Sequence, residues 1–484
     1  MKIHIKNTVN WLDYDGLIIG LDERLEAPEW DVQLKHLKEK ELFSGKIGEQ
    51  IDWPWLVDHR LIWVQLIGLG TTETFDRQKY KKALANAFRS ISKNKISQIA
   101  VDMNRSHHVI SCKQALSRMT AEALILADYR FDLYKSDRKE STLEKMDIAF
   151  EGIHEMAFEE GRIIGEETLE SRRMTDLPAN VLTPSYLAEI AIEKGKKAGF
   201  EVEVKGQKDI EALGMNAFLA VSQGSSQEPK LIVMRYHGCK ESEERLGLVG
   251  KGLTYDSGGL SIKPTNSMVN MKTDMAGAGA VISAMSAIAR GKLNVNVTAV
   301  VAACENMISG ACYKPGDIIG SMGKKSIFIG NTDAEGRLTL IDAVTYIQEK
   351  ENVTSVVDIA TLTGAAIHCL GTDATPMLYT DETHGKAMEK AFEKADQLTW
   401  RMPMFEPYRE LLKHDSADLT NTAGSPGTIT AGMFIGVFIQ NDRPWIHLDI
   451  AGTSATEKAG GIYSKGGTGV GVAPFYYYAQ SFSK

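Results

Sequence analysis

VGKGLTYDSGG, from Val249 to Gly259, decides how this chain is read. It grows out of an apolar run, Leu246 to Gly250, with the length and continuity of a buried strand. Lys251 and Asp256 stand just beyond that run. Three more charged segments lie downstream: SIKP (Ser261 to Pro264), MKTDMAGAG (Met271 to Gly279) and NTDAEGR (Asn331 to Arg337). Carboxylates set beside apolar sequence are normally paired or metal-bound, because burying an unpartnered charge is costly. Asp256, Asp274, Asp333 and Glu335 offer hard oxygens suited to two adjacent divalent cations, which in shared carboxylate sites lie about 3.5–4 Å apart.

Further apolar runs occur at Val295 to Cys304, Val353 to Ala360 and Trp445 to Gly452, with helical patterns at Ala276 to Ala289 and Leu338 to Lys350. Buried strands alternating with helices predict an α/β fold on a mixed, mostly parallel sheet flanked by helices. Sites in such sheets gather at the carboxyl ends of strands, where Lys251 and Thr361 stand. Upstream, EVEVKG (Glu201 to Gly206) and KLIVMRYHG (Lys230 to Gly238) read as strands. Thr183, Pro184 and Gly199 read as the cap, first turn and stop of a helix.

Near the amino terminus, Leu61 to Gly70 and Ile96 to Met103 read as strands with a helix, Lys79 to Lys93, between them. This predicts a smaller α/β domain over residues 1–150, with a polar boundary at Lys135 to Ser141. A linking helix over 151–174 and a catalytic domain over 175–484 follow.

Competing motifs fail on single residues. A phosphate loop at Gly250 needs glycine at Arg245 and Ser or Thr at Gly252, and a dinucleotide fingerprint needs glycine at Tyr255. His154-Glu155 lacks the second histidine of a zinc HExxH, since Phe158 stands there. YDSGG is similar to the nucleophile segment of trypsin-like serine proteases, which makes a serine hydrolase using Ser257 the main rival. No histidine lies between Gly238 and His368 to serve it. Asp256 and Asp274 taken singly also fit as turn or cap residues. Lys251 is either a counter-charge to Asp256 or, with its pKa pushed down by nearby cations and partial burial, a neutral amine ligand.

Taken together, NTDAEGR, VGKG followed by DSGG, and DIATLTGA (Asp358 to Ala365) resemble the leucyl aminopeptidase family of dinuclear metallopeptidases, over roughly Arg173 to Gly471. The resemblance implies a metal-dependent aminopeptidase with two divalent ions per subunit, Mn²⁺ or Zn²⁺. One would be held by Lys251, Asp256, Asp274 and Glu335, and the other by Asp256, Asp333 and Glu335. It implies a hydroxide between the ions as nucleophile, Lys263 polarising the scissile carbonyl, and Arg337 holding a bicarbonate as general base. On a purely structural reading Lys263 and Arg337 only neutralise the carboxylates.

Met271, Thr361, Gly364 and Ala451 would line a pocket for a Leu- or Met-like first side chain of a peptide with a free amino terminus; Met271 fits core packing equally well. Ser454 and the SGACYKPGD segment (Ser309 to Asp317, with Ala311) depart from the family pattern. The family also implies a homohexamer. The second rival, a non-catalytic scaffold, would show decayed ligands, yet every position is intact.

The 484 residues are 43% hydrophobic and 24% charged with net charge −8, which invites neither nucleic acid nor an anionic membrane. Five cysteines without CxxC spacing and no long apolar run predict a reduced, cytoplasmic protein.

Overall fold

The computed structural model describes residues 2–106, 109–110, 112–138 and 141–483. Lys139 and Glu140 of the expected boundary therefore lie outside the described residues. The chain divides into two compact units, 1–166 with 458–464, and 167–457 with 465–484. The division falls within one helix, Glu155–Asp176.

Among the described residues the first unit holds six strands: β1 (Lys2–Lys6), β2 (Gly16–Leu21), β3 (Gln50–Val57), β4 (Arg60–Gly68), β5 (Gln98–Asp102) and β6 (Lys145–Ala149). Their order is β1-β6-β5-β2-β4-β3, parallel throughout except for the β3–β4 hairpin. The expected strand–helix–strand unit is present as β4, the helix Arg77–Ile91 and β5, with the fully buried β2 inserted between the two strands. His154 starts the next helix rather than holding zinc, its Nδ1 accepting the Ala157 N–H at 3.2 Å.

The second unit is built on eight strands: β7 (Glu201–Lys205), β8 (Lys230–His237), β9 (Arg245–Asp256), β10 (Asn296–Asn306), β11 (Ser355–Ala360), β12 (Ala374–Tyr379), β13 (Leu398–Arg401) and β14 (Trp445–Asp449). They run in the order β13-β12-β14-β11-β9-β10-β8-β7. The central block β14-β11-β9-β10 is parallel, and antiparallel pairing begins outside it.

Helices Ala276–Arg290 and Gly336–Lys350 cover β9 on its two faces. A Cβ on Gly250 would lie 2.7 Å from the Gly277 carbonyl, so only glycine lets the first helix sit this close. Val249 faces the other way, into a core shared with Leu338, Ile341 and Val344 of the second helix.

The strand predicted to end at Gly250 continues to Asp256, because Lys251 to Asp256 keep pairing with the long β10. Lys251 therefore lies inside the strand.

Asp342 fixes the second helix to its surroundings, accepting the N–H groups of Phe218 at 3.0 Å and Met322 at 2.8 Å. Burial pushes its carboxyl up to about 7, and the N–H groups of Phe218, Met322 and Ala217 offset only part of this. The unfolded carboxyl titrates near about 4, so the folded chain binds this proton more tightly. The contribution is full at low pH and is lost as pH rises through about 7. Urea unfolding of the wild type should therefore show this contribution falling between about pH 4 and about pH 7. Asp342→Asn should show a shallower fall; identical slopes would contradict this account.

Candidate active site

Lys251 and Asp256 are five apart, an odd spacing that places side chains on opposite faces of a regular strand. The register between β9 and β10 shifts by one, with Cys304 opposite Leu253 and Glu305 opposite Tyr255. Thr254 is thus an extra residue, a bulge that returns Asp256 to the face of Lys251. Beyond Asp256 the chain turns through Gly258 (φ +88°) and Gly259 (φ +63°), a left-handed conformation that glycine adopts without strain.

Asp274 follows the short 3-10 turn Met271–Thr273. Asp333 and Glu335 lie in the loop before the helix Gly336–Lys350, where a turn brings them together. Asn331 Oδ1 accepts the Asp333 N–H at 2.7 Å. The buried Asn421 spans this loop, donating to the Asn331 carbonyl at 2.7 Å and the Ala334 carbonyl at 3.3 Å.

The four acids and two lysines converge. Lys251 Nζ lies 2.8 Å from both Asp274 oxygens, 2.9 Å from Glu335 Oε1 and 2.9 Å from the Thr361 carbonyl. Lys263 meets Asp256 Oδ2 at 2.8 Å and also pairs with Asp333. Asp256, Asp333 and Glu335 each place an oxygen within 4.8 Å of the others. A Cβ on Gly336 would sit 2.4 Å from Lys251 Cε, so the lysine stem passes where a larger residue would block it.

This cluster is short of positive charge. Burial raises the Asp274, Asp333 and Glu335 carboxyls, and their mutual repulsion adds to it; the lysines compensate only in part. Burial lowers Lys251, but Asp274, Glu335 and Asp256 outweigh it and the net shift is upward. In the protein alone three carboxylates surround this amine, and the downward shift expected of it depends on the nearby cations. Lys263 rises in the same way, with Asp256 and Glu335 overcoming burial.

Glu335 Oε2 is buried without a hydrogen-bond partner. Hard carboxylate oxygens, uncompensated negative charge and an unpartnered buried oxygen form a donor set that fits divalent cations. Arg337, in the first turn of its helix, has a buried Nε without a partner, and burial lowers it to about 10. That fork fits a small planar anion.

The side-chain pocket positions are placed less tightly. Thr361 joins the cluster through its hydroxyl, 2.7 Å from Asp274 Oδ1. Gly364 and Ala451 follow the carboxyl ends of β11 and β14. Asp449 Oδ1 ties these two ends together, accepting Leu362 N–H at 3.2 Å, Thr363 N–H at 3.4 Å and Ala451 N–H at 3.2 Å. Met271 is half-buried three residues before Asp274.

Asp449, Asn306, Thr332, Tyr313 and Asn421 were not singled out from sequence. For Asp449 and Asn306 a signal existed, a polar residue closing a buried apolar run. Ser257 is not disposed as a nucleophile: its buried hydroxyl donates to the Asn306 carbonyl at 2.7 Å, with no histidine partner among the described residues. No helix among them is long and apolar enough to cross a membrane.

Comparison with known proteins points to one family. Residues 170–476 match the model of the cytosol aminopeptidase family, catalytic domain, and residues 22–138 match that family's N-terminal domain. A probable cytosol aminopeptidase of Clostridium perfringens is 45% identical over 479 residues, covering 96% of each chain. One from Treponema denticola is 44% identical over 455 residues, covering 92% of this chain and 94% of its own. A solved tomato leucine aminopeptidase mutant has a TM-score of 0.89 at 30% identity, covering 99% of this chain and 96% of that one. The bottromycin maturation enzyme BotP in complex with Mn has a TM-score of 0.87 at 28% identity, covering 97% of this chain and 100% of that one.

Proposed function

The chain belongs to the cytosol aminopeptidase family and is a metal-dependent aminopeptidase of the leucyl type, and from that premise we propose how its own residues divide the work. Lys251, Asp256, Asp274 and Glu335 would hold one divalent ion, and Asp256, Asp333 and Glu335 would hold a second. Manganese, present in the BotP structure, or zinc suits this donor set. Such a pair, when bound, supplies a hydroxide nucleophile near neutral pH and Lewis-acid polarisation of the carbonyl. Lys251 would serve as a ligand in its neutral amine form, beside the Asp274 and Glu335 carboxylates it meets in the protein alone. The observation that carries the assignment is the convergence of Asp256, Asp333 and Glu335, with Glu335 Oε2 left unpartnered.

Lys263 reaches between Asp256 and Asp333, where its ammonium donates to the oxygen of the scissile carbonyl as charge develops there. Arg337, whose Nε is buried without a partner, would hold a bicarbonate that would supply a general base. Thr361 steadies Asp274 and, with Met271, Gly364 and Ala451, forms the wall beside the first side chain. We also infer a cytoplasmic homohexamer. The five free cysteines fit a reducing compartment, and light scattering at monomer mass would refute the assembly.

Removal of metal by a chelator should abolish release of amino-terminal Leu or Met, and Mn²⁺ or Zn²⁺ should restore it. Activity insensitive to chelation would overturn the reading. Ser257→Ala should keep the bulk of the activity, whereas loss of a serine nucleophile costs on the order of 10⁶-fold in kcat.

A further inference from the structure

We propose that Asn306 is a positioning residue that sets the affinity of the acid cluster for its divalent cations, an inference that rests on the ligand assignment above. Asn306 closes β10 directly opposite Asp256, and the Thr254 bulge brings the two side chains to the same face. It is fully buried. Its amide has two N–H groups, and both are used. One donates to Asp256 Oδ1 at 2.8 Å and the other to the Thr332 carbonyl at 3.0 Å.

Those acceptors belong to the two segments that carry the shared ligands, Asp256 on one side and Asp333 with Glu335 on the other. A single side chain therefore spaces them. Its main-chain carbonyl accepts both the N–H of Ser257, at 3.0 Å, and its hydroxyl, at 2.7 Å, which fixes the amide relative to the residue after Asp256.

The chemistry of the amide matters as much as its place. Asp256 Oδ1 is held by two neutral donors, Asn306 and the Gly258 N–H at 2.9 Å, while Oδ2 meets Lys263. A lysine or arginine at 306 would neutralise Asp256 and compete with a metal, and a carboxylate would repel it. The amide orients the ligand and leaves its charge intact. Tyr313 works on the same carbonyl, its hydroxyl donating to Thr332 at 2.7 Å. Partners of this kind, one shell behind the ligands, typically contribute about 10–100-fold in metal affinity.

The test is calorimetric titration of metal-free protein with Mn²⁺, comparing wild type with Asn306→Ala, Asn306→Leu and the milder Asn306→Ser. Leucine keeps nearly the volume of asparagine and removes both donors. Affinity should fall about 10–100-fold in the alanine and leucine variants alike, with kcat at saturating Mn²⁺ changing far less. Thermal unfolding of each metal-free variant identifies those that fold, and the serine variant carries the test if the others do not. Wild-type affinity in any folded variant, or leucine restoring what alanine loses, would overturn the proposal by making Asn306 a packing residue. A wild type that binds no Mn²⁺ would instead overturn the ligand assignment, and the same titration separates the two failures.

Discussion

Lys263→Ala should lower kcat by about 10²–10³-fold, the usual consequence of deleting one donor to a developing oxyanion. That corresponds to about 3–4 kcal/mol of transition-state stabilisation. The same change should leave Mn²⁺ binding intact or tighter. Lys263 pairs with Asp256 at 2.8 Å and with Asp333, so removing it makes the acid cluster more negative. This opposition separates a catalytic lysine from a mere counter-charge, whose loss would alter affinity and spare kcat. Steady-state kinetics at saturating Mn²⁺, with calorimetry on the same preparation, reads both quantities. Wild-type kcat in the variant would defeat the role.

Glu335→Gln should be more damaging still, with at least about 10³-fold lost in kcat/KM and little return of activity at high Mn²⁺. Glu335 meets Lys251 at 2.9 Å, is one of three acids converging within 4.8 Å, and keeps Oε2 without a partner. A glutamine there has the shape but not the charge. The stability of the metal-free protein should move the other way, holding steady or rising, because one of several mutually repelling buried carboxylates is gone. In the wild type, Mn²⁺ at about a hundred times its Kd should add about 2.7 kcal/mol of stability. In the variant that increment should largely vanish. Calorimetric melting with and without Mn²⁺ tests this, and a variant that keeps both its activity and its metal-dependent shift would refute the ligand role.

Much of the fold was legible before any coordinates. Continuous apolar runs at Leu246, Val295, Val353 and Trp445 became the four parallel central strands, since strands covered on both faces are selected for apolarity at every position. Thr183, Pro184 and Gly199 bound a helix as expected, with Thr183 Oγ1 accepting the Tyr186 N–H and Gly199 in a left-handed conformation. In the first unit β2 went unread, because a short run such as GLIIGL has no periodicity to separate strand from helix.

The candidate site divides along a similar line. Residue chemistry pointed to Asp256, Asp274, Asp333 and Glu335, since four acids strung along apolar sequence require compensation wherever they end up, and the family resemblance added the roles of Lys251, Lys263 and Arg337. What chain order could not reveal is how they meet. Lys251 and Asp256 share a face only through the Thr254 bulge, and a bulge is a property of the pairing between β9 and β10 rather than of either strand. Asn306, 50 positions from the Asp256 it holds, and Asn421, 90 positions from the Asn331 carbonyl it holds, come into play only once strands and loops are assembled. Local chemistry chose the charges; long-range pairing chose the distances between them.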